Sequence, residues 1–103
     1  MKKVALVTGG SGYFGCALVL RLRERGYAVR VFDLVDATDR PADVEFSPGD
    51  IRDRSAVVRA CEGVDVVHHN VAQVPLAKDA ALFESVNVGG TENLLFAADR
   101  AKV

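Results

Sequence analysis

Four glycines fall at positions 9, 10, 12 and 15, between two apolar segments in the stretch K-V-A-L-V-T-G-G-S-G-Y-F-G-C-A-L-V-L from Lys3 to Leu20. Two spacings overlap there: Gly10-x-Gly12-x-x-Gly15 and Gly9-x-x-Gly12-x-x-Gly15. Either pattern serves one chemistry, the cradling of a pyrophosphate. One glycine reverses the chain with positive φ, one lets backbone N–H groups approach the phosphates, and one lets the following helix pack close to the strand. The N-terminus of that helix then presents free N–H donors and a positive dipole end to the anion. About twenty residues beyond the fingerprint stands Asp33. A carboxylate at that distance accepts both hydroxyls of an adenosine ribose. It also repels a 2′-phosphate, so the pattern favours NAD over NADP.

These residues need elements to hold them. The continuous apolar run Val4–Val7 reads as a strand buried on both faces. The helix after the glycines carries Ala17, Leu18, Leu20 and Leu22 and stops at Gly26. A second strand runs from Ala28 to Phe32 and ends at Asp33, which closes a βαβ unit. Arg30 lies an odd number of residues from Asp33 and so points elsewhere. Leu34–Asp43 is polar and proline-containing, a loop. Val44–Phe46 reads as a short third strand ended by Pro48-Gly49-Asp50. Asp53 caps a helix over Arg54–Cys61, closed by Gly63. Val64–Val67 is the fourth strand, running into His68-His69-Asn70.

From Asp79 onward the pattern is helical. Phe83, Val86, Gly90, Leu94 and Ala97/Ala98 share one face. Gly89-Gly90 weakens this helix by about 1 kcal/mol per glycine relative to alanine. Close approach to a neighbouring backbone or cofactor is the reason to keep them. Strands alternating with helices and right-handed crossovers predict an α/β, Rossmann-type parallel sheet of order 3-2-1-4 with helices on both faces. Strand four would be an apolar sheet edge, which another strand normally covers. The expectation is therefore an incomplete fold, either the N-terminal part of a larger protein or an isolated piece that covers this edge by association.

The bulk properties agree. The 103 residues are 50% hydrophobic and 26% charged, with a net charge of −1. No basic stripe points to nucleic acid or to an anionic membrane surface. Met1-Lys2-Lys3 before V-A-L-V has the start of a signal peptide, but the apolar run is too short and ends in glycines. No stretch is long enough to span a bilayer. Cys16 and Cys61 have no metal or redox spacing and are expected to be buried, reduced thiols. A cytoplasmic location follows. His68 and His69 are adjacent on a strand, face opposite sides and cannot chelate together.

Five ordered motifs carry a family resemblance: T-G-G-S-G-Y-F-G, F-D, G-D-I-R-D, V-V-H-H-N-V-A and N-V-G-G-T-E-N-L-L. Together they resemble the extended short-chain dehydrogenase/reductase family, which includes NAD-dependent sugar epimerases and dehydratases and 3β-hydroxysteroid dehydrogenase-like enzymes. The resemblance covers essentially the whole chain. It implies a phosphate turn of Gly9, Gly12 and Gly15, with Ser11, Tyr13 and Phe14 contributing to the pyrophosphate contact. It implies that Asp33 holds the adenosine ribose. Asp50 would reach the adenine amino group and Ile51 would pack on its ring. Val71, Ala72 and Gln73 would line the cofactor after strand four, with Asn87 near it on the long helix.

Two departures stand out. Where the family usually reads H-L-A-A, this chain has His69-Asn70-Val71-Ala72. The family's Tyr-x-x-x-Lys pair is also absent: Tyr13 and Tyr27 are followed four residues later by Ala17 and Val31. The resemblance thus implies the cofactor half of an enzyme acting on a secondary alcohol of a nucleotide sugar or sterol-like substrate. The tyrosine would be supplied downstream, and the parent would plausibly pair long helices into a homodimer. The alternative is a non-catalytic NAD-binding or redox-sensing module, and a third reading is a fragment whose open site binds nothing.

Overall fold

The computed structural model describes residues 2–70 and 85–103. Four parallel strands form one sheet: β1 (Val4–Thr8), β2 (Ala28–Asp33), β3 (Glu45–Pro48) and β4 (Val66–His69), in the order β3-β2-β1-β4. Among the described residues three α-helices accompany them: α1 (Tyr13–Glu24), α2 (Arg54–Cys61) and α3 (Gly90–Ala101). A π-helical turn, Ser85–Gly89, leads into α3. The predicted order and the doubly covered sheet are both observed.

Strand alternation divides the core in two. Ala5, Val7, Val29 and Val31 point to one face, where they pack with Val19 and Leu22 of α1 and with Val44. Leu6 and Phe32 point to the other, against Ala56, Val57, Ala60 and Cys61 of α2 and Leu94 and Ala97 of α3. Burying a leucine or phenylalanine fully stabilises the fold by about 1.5–3 kcal/mol. Both Leu6 and Phe32 are essentially inaccessible. The alternation also explains Arg30. It reaches the α2 face, where its Nη1 donates to the carbonyls of Ala60 and Glu62 at 2.7 Å each, while Asp33 faces the glycine turn.

Several boundaries differ from the sequence reading. β4 is Val66–His69 rather than Val64–Val67 because β1 sets its register, pairing Ala5 with Val66 and Thr8 with His69. Val64 instead closes the turn after α2, its N–H donating to Cys61 O at 3.2 Å. β3 likewise starts one residue later, at Glu45, where it pairs with Arg30. In α1 the buried positions are Gly15, Val19 and Leu22, so Ala17 and Leu20 lie on the exposed side. Cys16 is half-buried and only Cys61 is fully buried. Burial pushes both thiols up, helped at Cys16 by Asp39 and Asp33, which makes each a poor nucleophile.

The loop between β2 and β3 is pinned at several points. Arg40 forms a bidentate pair with Asp36, donates to the Val44 carbonyl and lies 5.7 Å over the Phe46 ring. Arg23 of α1 makes a second bidentate pair with Asp43, at 2.7 and 3.1 Å. Asp53 caps α2 as expected, accepting from Ser55 N at 3.1 Å and Ala56 N at 3.5 Å.

Candidate dinucleotide site

The site lies at the carboxyl ends of β1, β2 and β4, where the glycine turn emerges. Gly9 takes φ +69°, the reversal that side chains resist. Its N–H donates to Phe32 O at 2.9 Å, which locks the turn to the end of β2. Gly10 is packed against β2; a Cβ there would meet Val31 at 2.8 Å. A Cβ on Gly15 would fall 2.1 Å from Gly9 O and 2.7 Å from Gly10 Cα. Gly15 therefore packs α1 onto the glycine turn itself, and Gly10 makes the close approach to the strand. Both overlapping spacings thus have a steric basis, Gly9 through its positive φ and Gly10 through its contact with Val31.

Gly12 differs from the other three. It has an ordinary extended conformation, φ −80° and ψ 174°, and a Cβ would meet only Gly9 O, at 3.4 Å. Folding makes little demand for glycine at this position. As N-cap of α1 it supplies no side-chain cap, and no acidic residue lies in the first turn. The first N–H bonded within the helix is that of Cys16, to Gly12 O at 2.8 Å. The N–H groups at the start of α1 are thus left as donors for an anion. The adjoining Tyr13 and Phe14 are 99% and 66% exposed, and their backbone N–H groups stand in this first turn.

Asp33 is held across this turn. Its Oδ2 accepts from Ser11 N at 3.1 Å and its Oδ1 from Leu34 N at 2.7 Å. The carboxylate is fixed beside the turn and half-buried, as a ribose acceptor has to be. Ser11 Oγ is buried with no partner among the described residues and lines a cavity of about 50 Å³. The bare helix start, the open side of Gly12 and the fixed carboxylate fit a dinucleotide.

The adenine-side residues are more constrained than the sequence implied. Arg52 forks onto Asp50, with Nη2 2.6 Å from Oδ2 and Nε 3.0 Å from Oδ1, and its backbone N–H donates to Oδ1 at 2.9 Å. The Arg52 guanidinium holds the Asp50 carboxyl below the usual carboxylate range. Asp50, expected to reach an adenine amino group, is thus already paired with Arg52. Ile51 is only 4% exposed and sits in the core. A Cβ on Gly90 would lie 2.8 Å from Ile51 Cγ2. Gly90 thus approaches the Ile51 side chain rather than a backbone or a cofactor, whereas a Cβ on Gly89 would meet nothing outside its own helix within 4 Å. Asn93 Nδ2 adds a bond to Ile51 O at 3.0 Å, fixing α3 to this segment. Most of the Ile51 side chain is committed to that contact rather than to a ring.

Asn87 falls in the π-helical turn, a distortion common at functional sites. Its carbonyl accepts from Thr91 Oγ1 at 2.7 Å. Val71, Ala72, Gln73 and Phe83 lie outside the described residues. The sequence reading missed Thr8 and Thr91. Thr8 is fully buried; its hydroxyl accepts from Asn70 N at 2.9 Å and lies 2.7 Å from His69 Nδ1. Thr91 follows Asn87 by one helical turn, and that i, i+4 spacing was the available signal. Among the described residues no group of three or more metal-ligating side chains occurs.

A four-stranded parallel sheet with an uncapped glycine turn at its switch point and an acid at the end of β2 defines a Rossmann-type dinucleotide-binding protein. The chain belongs to the NAD-dependent epimerase/dehydratase family, whose model matches residues 5–103. It is 41% identical over 107 residues to a 3β-hydroxysteroid dehydrogenase/Δ5→4-isomerase of Mycobacterium tuberculosis, an alignment covering 95% of this chain and 29% of that protein. A crystal structure of a short-chain dehydrogenase/reductase superfamily protein from Agrobacterium tumefaciens with bound NAD superposes with a TM-score of 0.87 at 39% identity, covering 97% of this chain and 30% of that one. The UDP-glucose 4-epimerase of Thermus thermophilus in complex with NAD gives 0.83 at 34% identity, covering 97% and 35%. The chain spans less than a third of the length of the curated relatives it matches.

Proposed function

We propose that this chain binds NAD and is the cofactor-binding part of an oxidoreductase or epimerase acting at a secondary alcohol carbon. The observation that carries the reading is the uncapped start of α1 beside an Asp33 carboxylate pinned to Ser11 N. When bound, NAD supplies the hydride acceptor. The chain's own residues bind and orient it: Gly9, Gly12 and Gly15 with Ser11, Tyr13 and Phe14 at the pyrophosphate, Asp33 at the ribose, and Asp50 and Ile51 on the adenine side. Val71, Ala72, Gln73 and Asn87 complete the proposed contact set. No residue of this chain is nominated as the catalytic acid or base, since neither tyrosine has a lysine four residues on.

The substrate class spans sterol-like alcohols and nucleotide sugars. The names of the M. tuberculosis and T. thermophilus relatives support these two branches. Hydride transfer at a secondary alcohol is the reaction the two have in common. A homodimer formed through α3 and a cytoplasmic setting belong to the same proposal.

The test is a fluorescence titration with NAD and NADP. The protein should take up NAD in preference to NADP. Asp33→Ala should weaken NAD roughly tenfold and narrow the preference, since a hydrogen bond to a charged group contributes about 1.5–3 kcal/mol. Unchanged exclusion of NADP in this variant would refute the ribose assignment. A protein that binds NAD but transfers no hydride to or from any alcohol in a sterol and nucleotide-sugar panel would instead favour a non-catalytic NAD sensor.

A further inference from the structure

The imidazole of His69 bridges three elements at the carboxyl edge of the sheet. It stands at the end of β4, with Nδ1 2.7 Å from Thr8 Oγ1 of β1 and Nε2 3.4 Å from Thr91 Oγ1 of α3. Proton counting fixes the direction of each bond. Thr91 has one hydroxyl proton and directs it to Asn87 O at 2.7 Å. Toward Nε2 its oxygen can only accept, so Nε2 carries a proton. Thr8 Oγ1 receives the Asn70 N–H at 2.9 Å and is inaccessible to solvent. Its own proton has one acceptor among these groups, Nδ1. The donors then run in a single direction: Asn70 N–H to Thr8, Thr8 to His69, His69 to Thr91, and Thr91 to the carbonyl of Asn87.

We propose that His69, a neutral imidazole protonated on Nε2, is a positioning residue that acts through Thr91 to hold the π-helical Asn87 turn against the dinucleotide site. The proposal rests on the NAD reading above and adds to it a residue for which that reading has no role. The turn needs such a tie. Gly89, at its end and N-cap of α3, supplies no side-chain cap, and a Cβ there would meet nothing outside the helix within 4 Å. Burial acts in the same direction, lowering the imidazole's affinity for a second proton. A doubly protonated ring would leave the proton of the fully buried Thr8 hydroxyl without its acceptor, at the cost of an unmet buried polar group.

Long-range ¹H–¹⁵N NMR of the histidine-labelled protein reads the tautomer directly. The expected spectrum has a protonated Nε2 and a bare Nδ1 at neutral pH. An Nδ1–H tautomer or an imidazolium at that pH overturns the proposal, whatever the variants do. His69→Phe keeps the ring volume and removes both bonds. It should speed amide exchange across Val86–Thr91 and weaken NAD roughly tenfold. His69→Gln restores a donor toward Thr91 and should recover affinity to within about threefold of the wild type. Thr91→Val should match His69→Phe, and the double variant should cost no more than either alone, as for residues in one chain of bonds. Unchanged exchange and NAD affinity in His69→Phe would also overturn it. A wild-type protein that takes up no NAD refutes the cofactor reading, while the tautomer and exchange measurements still decide the relay separately.

Discussion

At the scale of single residues, the site depends on charges and protons held in place by neighbours. Asp33 and Asp50 were both expected to face the nucleotide, yet their surroundings differ. Asp33 is fixed by two backbone N–H groups, whereas Asp50 is fixed by a guanidinium. His69 is a half-buried titratable group whose state matters for stability. Its folded pKa lies below the ordinary histidine value because burial penalises the charged form. The unfolded chain therefore binds more protons as pH falls below about 6.5. The contribution of neutral His69 is fully present above that value and is lost as pH falls through the lowered folded value. Urea unfolding between pH 5 and 8 should show stability declining on the acid side of about 6.5, and His69→Gln should flatten that limb. A second decline belongs below about pH 4, where Asp36, Asp43 and Asp50 lose their arginine-lowered states. An identical profile in His69→Gln would sink the assignment.

At the scale of elements, the glycine turn separates folding from binding. Gly15 has no room for a methyl group, because the obstruction is backbone. Gly15→Ala should cost about 3 kcal/mol or more in chemical unfolding. Gly12→Ala should stay within about 0.5 kcal/mol of the wild type, and yet lose more than tenfold in NAD affinity by blocking the phosphate approach. Equal stability losses in the two variants would remove the distinction. The glycine spacing was legible in the sequence; the division of labour was not. Which glycine meets β2 and which meets its own turn depends on the angle at which α1 leaves the turn. The same holds at Gly90, where the sequence implied a close neighbour and the structure names Ile51.

At the scale of the whole molecule, α3 buries one face and leaves another uncovered. Gly90, Leu94 and Ala97 face the core, while Leu95, and Val88 of the preceding π-helical turn, are 65% and 52% exposed and leave an apolar stripe uncovered. Phe96, beside them, is partly covered by the Arg54 guanidinium at 4.4 Å. The proposed homodimer would use this stripe. Sedimentation equilibrium should show self-association in the wild type and a smaller species in Leu95→Glu, with the far-UV spectrum unchanged. A monomeric wild type at high concentration would remove support for this face. Among the described residues no helix is long and apolar enough to cross a membrane.

The sequence by itself determined the sheet order, both layers of helices, the glycine turn and the acid at the end of β2. These follow from local rules: alternation, helical period, glycine spacing and the length of a βαβ crossover. Only the tertiary structure decided where β4 begins, what Gly15 and Gly90 pack against, and that Arg52 occupies Asp50. It alone brought Thr8, His69 and Thr91 together, from β1, β4 and α3. Residues 61 and 22 positions apart leave no periodic trace in a sequence. They meet because strand pairing and helix packing put them at one edge of the sheet.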